Sequence, residues 1–257
     1  MAEVMNTVAI VQARMGSTRL PGKVLMPIAG TPLVQRVIER VAAAKQVDQI
    51  VVATTDDSSD DDLAAFLKGL GIAKVFRGAR DDVLDRYFQC AAQFGADIVV
   101  RITADDPLKD PEVIDLATSV LRSVATLDYV SNTLAPSFPE GLDVEVFRFG
   151  ALSRAWNEAK LESEREHVTP FIWKHPELFS VRNVSYQRNL SSWRWTVDKP
   201  EDVLFMTEVF NRFSGQPLVS FRDIISWLDE HPEIRSINAG TVRNEGYLKS
   251  MQCETRK

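Results

Sequence analysis

The 257 residues are 45% hydrophobic and 26% charged, the composition of an ordinary globular chain long enough for a sizeable core. A net charge of -6 argues against a nucleic-acid binder, which would carry a basic surplus, and no apolar run approaches the ~20 residues of a membrane span. Cys90 and Cys253 stand far apart without metal spacing and no basic, apolar leader opens the chain, so a reducing, cytoplasmic setting without disulfides is expected.

In chain order, the apolar run Val8–Val11 predicts a buried strand. It leads directly into Gln12-Ala13-Arg14-Met15-Gly16-Ser17-Thr18-Arg19-Leu20-Pro21-Gly22-Lys23, the most informative stretch of the chain. Gly16 and Gly22 have no Cβ and let backbone N–H groups approach an anion. Arg14, Arg19 and Lys23 supply positive charge, and Pro21 stiffens the loop, so that less entropy is lost when a ligand orders it. A merely solvated face does not need glycines and a proline interleaved with its arginines, so the loop reads as a holder of a triphosphate. It is not a Walker loop, because Gly16 and Gly22 are too far apart for that spacing and Val24, not Ser or Thr, follows Lys23. No Gly-x-Gly-x-x-Gly follows the strand, which disfavours a dinucleotide fold.

Strand and helix patterns then alternate. Helices are expected at Leu33–Ala44, Asp60–Gly69, Val83–Phe94 and Pro111–Leu121, the last with Asp110 as its cap. Strands are expected at Gln49–Thr54, Lys74–Arg77 and Ile98–Ile102. The alternation predicts an α/β fold, a Rossmann-like, mostly parallel sheet flanked by helices, with ligands at the carboxyl ends of its strands. Beyond residue 127 the pattern is less regular. Tyr129–Asn132, Leu142–Phe147, Phe179–Val184 and Trp193–Val197 read as strands. Ala151–Lys160, Glu164–Lys174 (interrupted by Pro170), Pro200–Phe213 and Phe221–Asp229 read as helices. The tail after Gly240 has weak periodicity and is expected to be mobile. Residues 1–257 are expected to form a single domain in which 128–192 is an insertion.

The strand at Ile98–Ile102 runs into Thr103-Ala104-Asp105-Asp106-Pro107. A carboxylate at the end of a buried parallel strand, near a basic phosphate loop, suits Mg²⁺ held jointly by protein and nucleotide phosphates, and Asp105 is the first candidate ligand. Asp105 and Asp106 also suit a turn before Pro107. Asp198 either caps the helix that follows it or completes the metal site with Asp105, and the two roles are compatible.

Together these segments resemble the cytidylyltransferases that activate acidic sugars, the acylneuraminate and deoxy-manno-octulosonate synthetases of the nucleotide-diphospho-sugar transferase fold. The opening loop is similar to that family's signature, followed by Gly30-Thr31-Pro32-Leu33, Ala53-Thr54-Thr55-Asp56, Asp81-Asp82-Val83-Leu84-Asp85-Arg86, Asp105-Asp106-Pro107 and Val197-Asp198-Lys199-Pro200-Glu201-Asp202. The middle region departs from both synthetases. Ser131-Asn132, Phe138–Glu145 and Glu164–Pro170 look instead like the SpsF-like branch, named for spore-coat polysaccharide synthesis.

The resemblance implies a nucleotidyltransferase that joins CTP to a sugar, expected to be a nonulosonic-type sugar acid, giving a CMP-sugar and pyrophosphate for surface polysaccharide or flagellar glycan. It implies nucleotide contacts from Ala13, Arg14, Gly16, Ser17, Arg19, Lys23, Thr54, Asp56, Arg86 and Asp105, with Arg14, Lys23 and Asp105 catalytic. Asp105 and Asp198 would hold Mg²⁺. Glu140, Asp143, Glu145, Arg165 and His167 are the candidates for the sugar, with Asp143 and Glu145 on one face of a strand. The middle region is expected to mediate a homodimer. Two alternatives keep the fold: another triphosphate such as GTP with a sugar 1-phosphate, or a glycosyltransferase using a nucleotide-sugar donor. The second usually shows Asp-x-Asp, whereas Asp105 and Asp106 are adjacent.

Overall fold

The computed structural model describes residues 5–254, apart from the side chain of Cys253. Its centre is a seven-stranded sheet whose first half is parallel. Strand β1 (Thr7–Gln12) leads through the basic loop and a 3₁₀ turn at Lys23–Leu25 into a small hairpin, β2 (Pro27–Ile28) and β3 (Thr31–Pro32). Helix α1 (Leu33–Val41), β4 (Gln49–Thr55), α2 (Asp61–Leu70), β5 (Lys74–Gly78), α3 (Val83–Gln93), β6 (Ile98–Thr103) and α4 (Pro111–Ser123) follow. Residues 128–192 add β7 (Tyr129–Ser131), β8 (Glu145–Arg148), α5 (Phe149–Glu158), α6 (Glu162–His167), α7 (Pro170–Lys174) and β9 (Val181–Asn183). The chain closes with α8 (Pro200–Arg212), α9 (Phe221–Glu230), α10 (Pro232–Arg235) and α11 (Glu245–Glu254).

The strand order is β5-β4-β1-β6-β8-β7-β9. β1 pairs in parallel with β4 and β6, whereas β8 runs antiparallel to both β6 and β7. Successive side chains of a strand face opposite ways, and here both ways are apolar. Val8 and Ile10 pack with Tyr87, Phe147 and Leu152 on one side, while Ala9 and Val11 pack with Val37, Ile114 and Phe205 on the other. Gln12 lies opposite Ala53 and Thr103, so the carboxyl ends of β1 and β6 finish level and β4 runs two residues further. The loops carrying Arg14 and Asp105 are therefore brought to one edge.

The second half corrects four expectations. Trp193–Val197 is extended but joins no sheet strand. It lies on the turn at Glu140, whose N–H donates to Trp193 O (2.9 Å) and whose carbonyl accepts from Trp195 N–H (2.6 Å). Gly141 permits this approach: its φ is +103° and a Cβ there would stand 2.1 Å from Trp195 O. The strand expected at Leu142–Phe147 begins only at Glu145, so Asp143 precedes it. The Asn132 side chain instead binds the backbone there, donating to Leu142 O and accepting from Val144 N–H, each at 2.8 Å. The helix expected at Glu164–Lys174 is two helices separated by Val168, whose φ is +72°. Finally, the tail contains the docked helix α11. Polar contacts anchor it, which is why apolar periodicity did not announce it: Ser163 Oγ donates to Glu254 (2.9 Å) and Ser250 Oγ to Glu166 (2.7 Å).

No described helix is long and apolar enough to cross a membrane. Cys90 is a buried free thiol that burial pushes up to about 12; the Cys253 side chain lies outside the described residues.

Candidate active site

The basic loop is tied down from within. Met15 N–H donates to Asp60 (2.7 Å), and the same carboxylate accepts the hydroxyls of Thr54 (2.9 Å) and Thr55 (2.5 Å). Met15 O accepts from Gly22 N–H (3.2 Å), and Gly22 adopts φ +70°. The turn delivers Lys23 into the interior.

There the Lys23 ammonium donates to Asp105 Oδ2 (2.8 Å), Asp198 Oδ1 (2.8 Å) and Val197 O (2.7 Å). Asp198 also meets Arg19 at 2.6 Å and Arg194 at 3.1 Å. Burial opposes the charge on Lys23, but Asp105 and Asp198 together hold its pKa above the ordinary lysine value. Burial likewise works against an ionised Asp105, and the adjacent ammonium overrides it, bringing its pKa to about 2. The two aspartates thus converge on one point although they lie far apart in the chain. The sequence had assigned Lys23 to phosphates and the aspartates to a metal; in this structure the ammonium itself stands between them.

Two clefts meet at this cluster. One, of about 420 Å³, is walled by Ala13, Arg14, Gly16, Ser17 and Lys23. The other, of about 400 Å³, is walled by Glu140, Asp143, Glu145, Thr169 and Tyr247. Arg19, Arg101, Thr103, Asp105, His167 and Asp198 face both. Most of the sequence-derived candidates are therefore gathered on one edge of the sheet and sorted between two adjoining spaces. Four are not on these walls. Thr54 is fully buried beneath the loop, where it holds Asp60. Asp56 is exposed at the end of β4. Arg86 is fully buried and donates to Ala79 O (2.5 Å), and its Nε and Nη2 have no hydrogen-bond partner among the described residues. Arg165 binds Asp82 (2.7 Å) and the carbonyls of Trp156 and Ala159.

In the second cleft every acid has a cation behind it: Arg194 binds Glu140 (2.8 Å), Arg243 binds Asp143, Arg101 binds Glu145, and Lys109 binds Asp106 (2.9 Å). Burial still raises the pKa of Glu140 and Asp143, against the pull of those cations. Glu145 accepts additionally from Tyr129 (2.6 Å) and Thr169 (2.5 Å), which fixes its orientation. Arg194, Arg101 and the Asn244–Ser250 stretch were not singled out from the sequence. Arg101 left a trace, as a lone cation in the apolar strand Ile98–Ile102. Arg194 left one as a cation between two tryptophans.

A divalent ion fits only in part. Asp105 and Asp198 offer hard carboxylate oxygens within 2.8 Å of a common point, the donor type Mg²⁺ takes. No group of three or more His, Cys, Asp or Glu with metal-holding geometry occurs among the described residues. The pair would therefore hold Mg²⁺ together with ligand oxygens, with Lys23 drawn aside.

Known proteins similar to this chain identify its family. Residues 8–215 match the family model described as cytidylyltransferase. The spore coat polysaccharide biosynthesis protein SpsF of Bacillus subtilis is 33% identical over 232 residues, covering 87% of this chain and 94% of that one. A 3-deoxy-manno-octulosonate cytidylyltransferase of Geobacter sulfurreducens is 44% identical over 119 residues, 46% of each chain. A solved cytidylyltransferase structure from Leptospira borgpetersenii superimposes with a TM-score of 0.87 at 32% identity, covering 93% of this chain and 99% of that one. The chain belongs to the cytidylyltransferase family, on its SpsF-like branch, and is a nucleotidyltransferase.

Proposed function

We propose that the protein joins CTP to a sugar acid, releasing pyrophosphate and giving a CMP-sugar. The observation that carries this reading is the pair of clefts separated by one charged wall, a basic one beside the first loop and a hydroxyl- and carboxylate-rich one beside Glu140 and Glu145. Two reactants held on either side of that wall meet at it.

The triphosphate lies on the Arg14–Lys23 loop, where glycine backbone and cations face it. Glu140, Asp143 and Glu145 receive the sugar hydroxyls, and Arg19 and Arg101 face its carboxylate from the common wall. The acceptor oxygen attacks the α-phosphorus in line and pyrophosphate departs. Alignment and charge neutralisation supply the rate; no covalent protein intermediate is needed. Asp105 and Asp198 would hold Mg²⁺ beside the phosphates. That ion would supply charge neutralisation on the phosphate oxygens. The relatives named for spore-coat polysaccharide and for octulosonate point to a nonulosonic- or octulosonate-type acid used in a surface glycan.

Pyrophosphate release, measured with each of the four nucleoside triphosphates against a panel of 2-keto-3-deoxy sugar acids and sugar 1-phosphates, tests the reading. Release with CTP and at least one acid is expected. Release only with GTP and a sugar 1-phosphate contradicts it.

A further inference from the structure

The transfer must move a proton as well as a phosphoryl group, and the common wall leaves few groups able to take it. Arg19 and Arg101 are cations. The Thr103 hydroxyl donates to Asp106 (3.0 Å). Asp105 is held ionised by Lys23, and Asp198 is engaged by Lys23, Arg19 and Arg194. The Asp105 carboxylate so stabilised is a weak base, and both Asp198 oxygens are occupied by cations. His167 is the remaining side chain that faces both clefts.

Its neighbours determine which nitrogen is free. Nε2 lies 3.0 Å from Ser250 Oγ of α11. Among the described residues, Ser250 Oγ also has two oxygen acceptors for its proton, Glu166 (2.7 Å) and Gly246 O (3.2 Å). With that proton donated to Glu166, the serine oxygen accepts from His167, an arrangement that places the ring proton on Nε2 and the lone pair on Nδ1. The Tyr247 ring meets the imidazole edge-on at 5.1 Å between centroids and fixes its plane. Burial lowers the pKa of the ring. Glu166 from its own helix, Glu145 from β8 and Glu254 from α11 oppose that shift, and Arg101 from β6 adds to it. The imidazole is thus neutral near pH 7, the state a base requires.

We infer that His167 is the general base of the transfer, its Nδ1 taking the proton of the attacking sugar hydroxyl while Ser250 and Tyr247 of the C-terminal helix hold the ring. The inference rests on the function proposed above. The acceptor O–H bond breaks and its proton passes to Nδ1. The freed electron pair forms the O–Pα bond, the bond from Pα to the bridging oxygen breaks, and pyrophosphate leaves with that pair. The imidazolium then returns its proton to water. Ser250 and Tyr247 lie beyond residues 8–215, so this part of the machinery stands outside the stretch that matches the family model.

Two measurements test it. His175 and His231 each place Nδ1 2.8 Å from a backbone carbonyl, so both carry their proton there. Nitrogen-15 NMR of the full chain at pH 7.5 should show one Nε2–H tautomer against two Nδ1–H tautomers, the first absent from His167→Gln. Three Nδ1–H tautomers, or a His167 imidazolium at that pH, would overturn the assignment. In the pyrophosphate assay, with CTP and the panel acid that turns over, His167→Gln should lower kcat on the order of 100-fold. KM for CTP should change little and the acid limb of the pH–rate profile should disappear, while Ser250→Ala should show a smaller loss with that limb retained. Unchanged kcat in His167→Gln, with active wild-type protein, removes the base role and leaves the proposed function intact. Absence of pyrophosphate from wild-type protein with every pair removes the proposed function and the base role with it.

Discussion

Lys23 and Asp198 are 175 residues apart in the chain, yet the lysine Nζ lies 2.8 Å from the aspartate Oδ1 inside the protein. The contact fastens the loop after β1 to the segment before α8, and both clefts open beside it. Removing the ammonium leaves Asp105 and Asp198 facing each other without their shared partner and strips the loop of its innermost charge. Lys23→Ala should therefore reduce kcat by about 100- to 1000-fold, the scale of losing one preorganised electrostatic donor. Steady-state pyrophosphate release checks this; turnover within a factor of three of wild type would remove Lys23 from the mechanism.

Arg194 is 6% exposed and binds Glu140, Asp198 and Asp202 at once. Its removal strands buried carboxylates rather than merely deleting a surface pair. Arg194→Ala should lose about 3–5 kcal/mol of stability in urea unfolding. Arg194→Lys should retain only part of it, because an ammonium cannot reproduce the forked contact that Nε and Nη2 make with Asp202. A lysine variant as stable as wild type would contradict this.

At Gly141 a single methyl group conflicts with the fold. The positive φ and the Trp195 carbonyl oxygen 2.1 Å from the added carbon both oppose alanine. Gly141→Ala should lower the melting temperature and raise KM for the sugar acid more than KM for CTP, since the turn positions Glu140 and Asp143 of the second cleft. Equal effects on both constants would place the turn elsewhere in the mechanism.

Stability should depend on pH through His167. Burial depresses its folded-state pKa below 6.5, with Arg101 assisting and Glu166, Glu145 and Glu254 opposing. Below pH 6.5 the unfolded chain binds more protons at this residue than the folded chain does, so stability from this source is present above 6.5 and declines as pH falls toward the folded value. His167→Gln should flatten the unfolding free energy between about pH 5 and 7 relative to wild type. A steeper dependence in the variant would contradict the direction of the shift.

The stretch from β1 to α4 is legible in the sequence because its strands are buried on both faces and its helices on one. Val8–Val11 and Ile98–Ile102 read as continuous apolar runs, and Leu33, Val34, Val37 and Ile38 form a helical stripe. Asp105 and Asp198 were legible as acids closing strand-like segments, but the ammonium between them was not, since no local pattern records that Lys23 turns inward. Trp193–Val197 misled for a related reason: its apolar, extended residues suit a ladder, whereas the contacts of Arg194 hold the segment against the turn at Glu140. Helix α11 was illegible because its anchors are isolated contacts, Ser250 with Glu166, Glu245 with Arg19 and the Tyr247 ring with His167, which leave no period in the sequence.

The central claim is that one charged junction serves both reactants. A crystal structure of the protein soaked with CTP and magnesium tests it most directly. The triphosphate should lie along Gly16–Lys23, with a divalent ion between Asp105 and Asp198 and the Lys23 ammonium moved onto phosphate oxygen. A nucleotide bound away from that loop, or one bound there with Lys23 still bridging both aspartates and no ion beside them, would contradict it.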